Sequence, residues 1–585
     1  MTEVSERSET LTRPGKSSGQ LRYTTTSKRE VLLLRMRSIG LGCWLVGGLL
    51  TSHAATHTWT GNGNSNLWTD SANWEGENPP RSGESGAVLV FPLGTSRLSS
   101  SNDLTSLTVA QLVFSGTSYV LKGTDALVLG SSLGPSIVAS GSSNRIALPL
   151  VLQTTNLFSV ATNASLSLAG RLSGPGAFAL VGGGLLALTS AAGVDNAYLG
   201  TTRVLEGTLH MESGFTNDVF GTRFYAAAVP GALVVGDTNS VASAILRGMA
   251  MSTNTTLTLL GSGQYLVNGD LLAVGSLAGD GFVDCQGQSF IVGGNNRSTI
   301  FDGRMNGSSD AGLQKVGTGT LTLTGGDVGP VQLGIGEGTL IVDGSFSNST
   351  AVVASAMNGL TGGKLGGNGS LGTVFAEGPF SPGHEGPGRL TAARVFMDLD
   401  SSLVVKLGGT NAGIDYDQLV AKGTFELVDP SAALKVQMLP GFVGAVGDQY
   451  TIVRLDGTNA VGIPLVPLGN TNGFNGLGEG SVLTLTSGAA FRISYRGGDG
   501  NDVVLTQIAA RPILNPPSLL ANGTVLISGA GSPGAAYELQ ATTNLADASG
   551  WLPRGTSLAL ADGSLSFIHT NALSAPNFYY RLQTR

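Results

Sequence analysis

The chain has 585 residues, of which 88 are glycine, 12% are charged and 6% are aromatic, and its formal net charge is −7. This composition disfavours helix almost everywhere, and 41% hydrophobic residues in short alternating runs argue against a disordered, low-complexity chain. The acidic balance argues against nucleic acid or anionic lipid as a partner. Short Val, Leu and Ile runs separated by Gly, Ser, Thr and Asn predict an all-β protein with many strands and tight turns.

The first 54 residues are predicted to be a leader with a signal peptide. A basic flank precedes the apolar run Ile39–Leu50, which small residues follow. This order is typical of secretory signal peptides and predicts cleavage between Ala54 and Ala55. The run is too short to span a membrane, and no later apolar stretch is longer. We therefore expect a secreted or cell-surface protein with no membrane span in the mature chain.

Three tryptophans, Trp59, Trp68 and Trp74, lie close together at the start of the mature chain. Aromatic ring faces suit sugar rings, so the three side chains could contact a glycan. We favour the interpretation that they cap the first coil of a stacked β structure, where an open edge would recruit other strands. A glycan contact at the three tryptophans stays as the alternative.

Two stretches of about thirty residues, Gly184–Met211 and Lys315–Gly344, share one pattern. Each holds two short strand patterns joined by a glycine-containing turn. In the second stretch, Leu321 and Leu323 alternate with threonines, and a period of two places the leucines on one face of a sheet. Such a unit cannot bury its apolar face alone and must stack on others, which predicts a β-solenoid. The equivalent inward positions are Leu186, Leu188, Leu209, Leu340 and Val342.

Both stretches resemble the autotransporter-associated β-strand repeat of secreted bacterial passenger domains. The tryptophan-rich opening and the glycine-rich segments Gly362–Gly372 and Ser381–Leu390 are similar to segments that flank these repeats in the family. The resemblance implies an elongated parallel β-helix over residues 55–510. An outer-membrane translocator would need many further alternating strands, so we expect a passenger-like chain without the translocator barrel.

The segment Gly497–Leu505 fits the glycine- and aspartate-rich nonapeptide that binds Ca²⁺ in parallel β-rolls. Calcium takes about six to eight oxygen ligands, which consecutive nonapeptides supply together. Here the motif occurs once, so we interpret it as a turn that closes the last hairpin, with a calcium site as the alternative. No metal or cofactor site is predicted.

Residues for catalysis are sparse. His384 and Glu385 are neighbours, but adjacent residues on a strand face opposite ways. Asp415 and Asp417 share a strand parity, yet they fit a structural strand of the family. No other pair of carboxylates is predicted to converge as polysaccharide-cleaving enzymes require. The chain is therefore not predicted to be an enzyme, with a polysaccharide lyase or hydrolase as the alternative.

Prolines 512, 516 and 517 predict a linker over residues 511–517, followed by a small β-module over 518–585. Strands are expected near 524–528, 537–541 and 578–582, with Trp551 as a core anchor. The module is similar to the fibronectin-III-like terminal module of secreted bacterial proteins, which implies a small β-sandwich.

Together these patterns predict a structural or adhesin-like stalk or display scaffold. Its expected partners are extracellular polysaccharide or cell-surface components. The alternative is a carbohydrate-binding or polysaccharide-degrading β-helix with the three tryptophans on the sugar.

Overall fold

The computed structural model describes residues 55–585 except 131–133, 190, 192–193, 213–214, 218–222, 226, 239–242, 249–250, 269–271, 356–361, 458, 460, 463–472, 509–511, 533 and 561–562. The predicted leader and Ala54 therefore lie outside the described residues. Strands dominate what is described, and its two helical segments are the short 3-10 turns Ser71–Asn73 and Glu75–Glu77. The all-β prediction is confirmed.

The chain winds into a parallel β-solenoid, as the repeat pattern predicts. One turn runs through the strands Thr320–Leu323, Gly326–Asp327 and Gln332–Ile335, and the strand Glu337–Val342 then starts the next turn. It lies parallel to Thr320–Leu323, with Leu321 opposite Leu340. Each turn therefore places its strands directly on those of the turn before.

Alternation decides which side chains enter the core. Leu321 is 1% exposed, and Leu323, Leu340 and Val342 are each 0% exposed. Thr322 points to the opposite face of its strand. The inward positions of successive turns form one hydrophobic core that reaches from Trp59 to Leu505.

Two large sheets build the solenoid. The first has 21 strands: Thr56–Thr58, Ser85–Phe91, Thr108–Phe114, Leu127–Leu129, Ile137–Ala139, Leu150–Leu152, Thr155–Val160, Leu172–Gly174, Ala177–Val181, Ala197–Tyr198, Thr202–Val204, Leu233–Asp237, Thr256–Gly261, Ser276–Gly279, Thr299–Phe301, Thr320–Leu323, Glu337–Val342, Gly362–Gly367, Pro379–Pro382, Ser402–Leu407 and Ala433–Met438.

The second sheet contains Ser99–Asn102, Val120–Gly123, Asn144–Ile146, Ser165–Leu168, Leu185–Leu188, Gly207–Met211, Ala244–Gly248, Gly263–Leu266, Leu272–Val274, Phe282–Asp284, Phe290–Val292, Arg304–Asn306, Gly312–Lys315, Gly326–Asp327, Gln332–Ile335, Ser345–Val353, Ser370–Ala376, Arg389–Met397, Gln418–Leu427, Gln449–Leu455, Val482–Thr484, Ala490–Gly497 and Asp502–Ile508. Two small antiparallel pairs lie between these strands in the chain: Phe215–Asn217 with Arg223–Tyr225, and Gly473–Phe474 with Leu477–Gly478.

The two halves of each sequence repeat pair with each other. Leu186 lies opposite Leu209 in the first copy, as Leu321 lies opposite Leu340 in the second. In the copy Gly184–Met211 these strands belong to the second sheet. In the copy Lys315–Gly344 they belong to the first sheet. One copy is thus one turn of solenoid plus the start of the next, rather than a unit that stacks only on other copies.

A column of glycines explains part of the unusual glycine content. A Cβ atom on Gly325 would collide with the Gly303 carbonyl oxygen of the previous turn, and one on Gly344 with the Gly325 carbonyl oxygen. The same holds for Gly303 against Gly281 and for Gly369 against Gly344. At this corner the backbones of successive turns approach too closely for any side chain.

The parallel stack of the second sheet ends in antiparallel strands. Asp502–Ile508 pairs antiparallel with Gln449–Leu455 and with Ala490–Gly497. Gly497 lies opposite Asp502, so the glycine-rich motif forms the turn of this hairpin, as predicted. The last strand pairs therefore cover an edge that a parallel stack would leave open.

Two small antiparallel sheets follow the solenoid. One contains Ile513–Leu514, Ser518–Leu519, Val525–Ala530 and Ser564–His569, and the other Ala536–Thr542, Leu552–Leu558 and Tyr579–Thr584. They share a separate core that includes Ile527, Tyr537 and Phe567. The three predicted strands are present, but the strand Ile513–Leu514 lies inside the segment predicted to be a linker.

The prediction for Trp551 is wrong. Its side chain is half-buried outside that core, and the guanidinium carbon of Arg581 lies 4.3 Å from its ring centroid. The buried aromatic residues of the module's core are Tyr537, which is 0% exposed, and Phe567, which is 6% exposed.

Candidate functional site

The three N-terminal tryptophans form a buried aromatic cluster. Trp59 and Trp68 are 0% exposed and Trp74 is 2% exposed. The ring centroid of Trp74 lies 5.2 Å from that of Trp59 and 6.1 Å from that of Trp68, both in edge-to-face geometry. The Trp59 indole N–H donates to the Arg97 carbonyl oxygen, and the Trp74 indole N–H to the Trp68 carbonyl oxygen, each at 2.8 Å.

This geometry bears directly on the predicted glycan contact at Trp59, Trp68 and Trp74. A sugar stacks on a ring face that is open to solvent, and none of these rings has one. While the cluster is packed, these side chains cannot contact a glycan. The cap interpretation accounts for their burial, because edge-to-face packing of large rings seals the end of a hydrophobic core.

A buried charged cluster lies on the outer side of the first sheet. Asp417 is 0% exposed, and its carboxylate accepts hydrogen bonds from the backbone N–H groups of Gly388 and Lys406, each at 2.9 Å. The Lys406 ammonium lies 3.0 Å from Asp417 Oδ2 and donates to Ser381 Oγ and to the Pro382 carbonyl oxygen, each at 3.0 Å. The cluster joins two loops to the strand Ser402–Leu407.

A serine hydroxyl beside a lysine raises the question of nucleophilic catalysis. A lysine acts as a base only when its amine is neutral. Here the Lys406 nitrogen donates to Ser381 Oγ and to the Pro382 carbonyl oxygen and lies against the Asp417 carboxylate, so it is not placed to accept a proton from the serine. Burial raises the pKa of Asp417 above its ordinary value, although the hydrogen bonds from Lys406 and Gly388 oppose this shift. The arrangement fits a structural tie between loops better than a Ser–Lys catalytic pair.

The other acidic and histidine positions do not converge. Asp415 and Asp417 do not share a strand, because both precede the strand Gln418–Leu427. His384 does not pair with Glu385; its Nδ1 atom lies 2.8 Å from Asp343 Oδ2. Asp343 also accepts a hydrogen bond from the backbone N–H of Asn368. This pair links turns that are two apart, and no nucleophile contacts it among the described hydrogen bonds.

The glycine-rich motif near the end of the solenoid uses its aspartate internally. Asp502 Oδ1 accepts a hydrogen bond from the backbone N–H of Leu455 at 2.9 Å. Within the described ranges, no group of three or more His, Cys, Asp and Glu side chains is placed to hold a metal ion.

A second buried lysine lies at the start of the second repeat copy. Lys315 is 1% exposed, and its ammonium donates to the carbonyl oxygens of Val316 and Gly317 at 2.7 Å and of Glu337 at 3.3 Å. Burial lowers the pKa of Lys315 to about 8, and the Glu337 carboxylate opposes this shift. The ammonium satisfies backbone oxygens where a turn leaves the strand ladder.

A surface groove lies on the second sheet. Its volume is about 560 Å³, within the range of roughly 300–1,000 Å³ typical of ligand sites. Phe375 and Phe396 form its aromatic part: their ring centroids are 5.0 Å apart at an interplanar angle of 12°. Phe375 is 45% exposed. The groove is therefore the candidate functional site.

Polar side chains surround the two rings. Glu377 and Asp398 are exposed and follow the ends of the two phenylalanine strands, while Gln332 and Thr350 line the groove on the preceding turns. Their hydroxyl, amide and carboxylate groups can donate to or accept from a hydroxyl-rich ligand.

This groove was not predicted from the sequence. The signal was present, because Phe375 lies between the inward residues Val374 and Ala376, and Phe396 between Val395 and Met397. Alternation alone would have placed both rings outside. Their stacking depends on the register of the two strands, which the sequence pattern did not provide.

No protein-family model matches the sequence, and no curated protein matches it. Among residues the structure describes, no helix combines the length and hydropathy needed to cross a membrane.

Proposed function

We propose that this chain is a secreted or cell-surface bacterial protein whose β-solenoid is a structural, adhesin-like stalk or display scaffold. The observation that carries the proposal is the continuous hydrophobic core from Trp59 to Leu505, which successive turns fill with inward side chains. A stack of this kind gains stability from each neighbouring turn and needs no catalytic centre.

Three further points support the proposal. The repeats resemble those of autotransporter passenger domains, the leader has the features of a signal peptide, and the charged clusters at Asp417 and Lys315 tie loops and turns together. We also propose that the C-terminal module is a fibronectin-III-like β-sandwich, because its two small sheets share one core.

A whole-turn deletion tests the stalk role. Phe282 lies opposite Arg304 one turn later, so deleting residues 282–303 joins Gly281 to Arg304 and removes one turn in register. A stalk tolerates this change: in the producing bacterium we expect normal surface labelling of a C-terminal epitope and normal attachment. Deleting residues 282–292 breaks the register and serves as the control that should abolish both.

Loss of attachment with normal surface labelling after the in-register deletion would contradict the stalk role. It would mean that function depends on a site within the deleted turn.

The second candidate is carbohydrate binding, which the groove at Phe375 and Phe396 favours. Binding without cleavage should leave the number of reducing ends unchanged when purified protein is incubated with polysaccharide. New reducing ends would instead support a lyase or hydrolase.

A further inference from the structure

The groove at Phe375 and Phe396 lies across the solenoid turns rather than along one strand. Its lining runs from Ser309 through Gln332 and Thr350 to Phe375, Phe396 and Val428. Register places these positions on successive turns. At ~4.8 Å per turn the lined surface extends for roughly 20–25 Å. A groove of this form suits an extended, linear ligand.

Phe375 stands at a step in the ladder and is 45% exposed. Phe375 stacks on Phe396 on one side, and on the other its register neighbour is the much smaller Val352. The next position is Gly334, which has no side chain, and Gln314 lies over it. The ladder therefore drops from Phe375 to Val352 and leaves a notch with an aromatic wall. A flat apolar face can stack against that wall.

The chemistry of the lining restricts the ligand. The described lining residues include two carboxylates, Glu377 and Asp398, and no Lys, Arg or His. Like charges would repel an anionic polymer such as a polyuronate. The remaining polar groups are hydroxyls and an amide.

Backbone pairing is not available to a ligand here. The strands that carry Val352, Phe375 and Phe396 are paired in the ladder on both sides. An extended peptide that binds by strand addition needs an unpaired strand edge. Recognition must rely on ring stacking and side-chain hydrogen bonds, which suits a hydroxyl-rich ligand better than a peptide.

From these observations we infer that the groove binds a neutral, linear glycan, with one sugar ring stacked on the open face of Phe375 and sugar hydroxyls donating to Glu377 and Asp398. This inference deepens the carbohydrate-binding candidate and rests on it. The stalk role is independent, because it depends on the core and not on the groove.

Titration calorimetry tests the inference on the purified protein, residues 55–585. The probes are hexasaccharides of β-1,4-linked glucose, mannose and N-acetylglucosamine, with oligogalacturonate as the anionic probe. We expect at least one neutral probe to bind and oligogalacturonate not to bind.

Three variants separate ring stacking from other effects. Phe375→Ala and Phe375→Leu should each weaken binding about tenfold or more, a loss of ~1.4 kcal/mol, because leucine keeps apolar area without a ring face. The matched control is Ile300→Ala, which truncates a side chain 61% exposed on the other sheet. It should leave binding unchanged. Circular dichroism melting of each variant checks that it is folded.

The inference is overturned if no neutral probe binds, if Phe375→Leu binds as tightly as the native protein, or if oligogalacturonate binds equally well. Binding of unfolded casein that depends on Phe375, without glycan binding, would assign the groove to a protein partner instead. Each of these results leaves the whole-turn deletion test of the stalk role unaffected.

Discussion

Two groups of aromatic side chains in this protein have opposite surroundings. Trp59, Trp68 and Trp74 pack edge to face inside the N-terminal end of the core, whereas Phe375 and Phe396 stack on the outer surface. Aromatic residues in this repeat protein are therefore not equivalent as candidate ligand sites. Burial keeps the tryptophan side chains inside the core, and exposure leaves the Phe375 ring accessible to the glycan that we propose.

Removing the central tryptophan should have the largest effect. We expect Trp74→Ala to lower the free energy of unfolding by about 3–5 kcal/mol, because the cavity and the lost edge-to-face contacts both weaken the core. Urea unfolding followed by circular dichroism measures this. The matched control is Trp551→Ala, which removes a half-buried ring from Arg581 and should cost about 1 kcal/mol. An equal loss of unfolding free energy in Trp74→Ala and Trp551→Ala would contradict the special role of the buried cluster.

Variants of Asp417 test whether a buried polar group also contributes to stability rather than to ligand binding. Asp417→Ala leaves the Lys406 ammonium and two backbone N–H groups without their acceptor, so we expect a loss of about 3 kcal/mol. Asp417→Asn keeps an acceptor of the same shape and should lose less. Glycan binding should not change in either variant. A stable Asp417→Ala protein with altered binding would place the cluster in a functional site.

Lys315 gives the stability a defined pH dependence. Because burial lowers its pKa to about 8, the unfolded chain holds this proton more tightly than the folded chain between pH 8 and its ordinary value of 10.5. The free energy of unfolding should therefore rise with pH across that window. Lys315→Met should remove this rise, which urea unfolding at pH 7.5, 8.5 and 9.5 can measure. The same slope in both proteins would contradict the assignment.

The smallest effect on stability is expected at the exposed ring pair. Phe396→Ala removes one stacked partner from a solvent-facing ladder and should cost about 1 kcal/mol or less. A double-mutant cycle with Phe375→Ala isolates the contribution of stacking. If Phe396→Ala lowered the free energy of unfolding as much as Trp74→Ala does, the Phe375–Phe396 pair would be a structural element like the tryptophan cluster.

The sequence predicted what depends on short-range pattern. Alternation predicted that Leu321 and Leu323 face inward. The glycine-rich nonapeptide occurs only once, which predicted a turn at Gly497–Asp502. It did not predict which outward side chains meet across the turns. The pairing of His384 with Asp343 and the stack of Phe375 on Phe396 both join residues from different turns. No local periodicity encodes those pairings.

The most direct test of the contrast is acrylamide quenching of tryptophan fluorescence in a Trp551→Phe protein that begins at Ala55, which retains only Trp59, Trp68 and Trp74. The account predicts a blue-shifted emission that acrylamide quenches weakly and that a bound neutral hexasaccharide leaves unchanged. Efficient quenching that the glycan suppresses would show that the tryptophans, and not the phenylalanine groove, face the ligand.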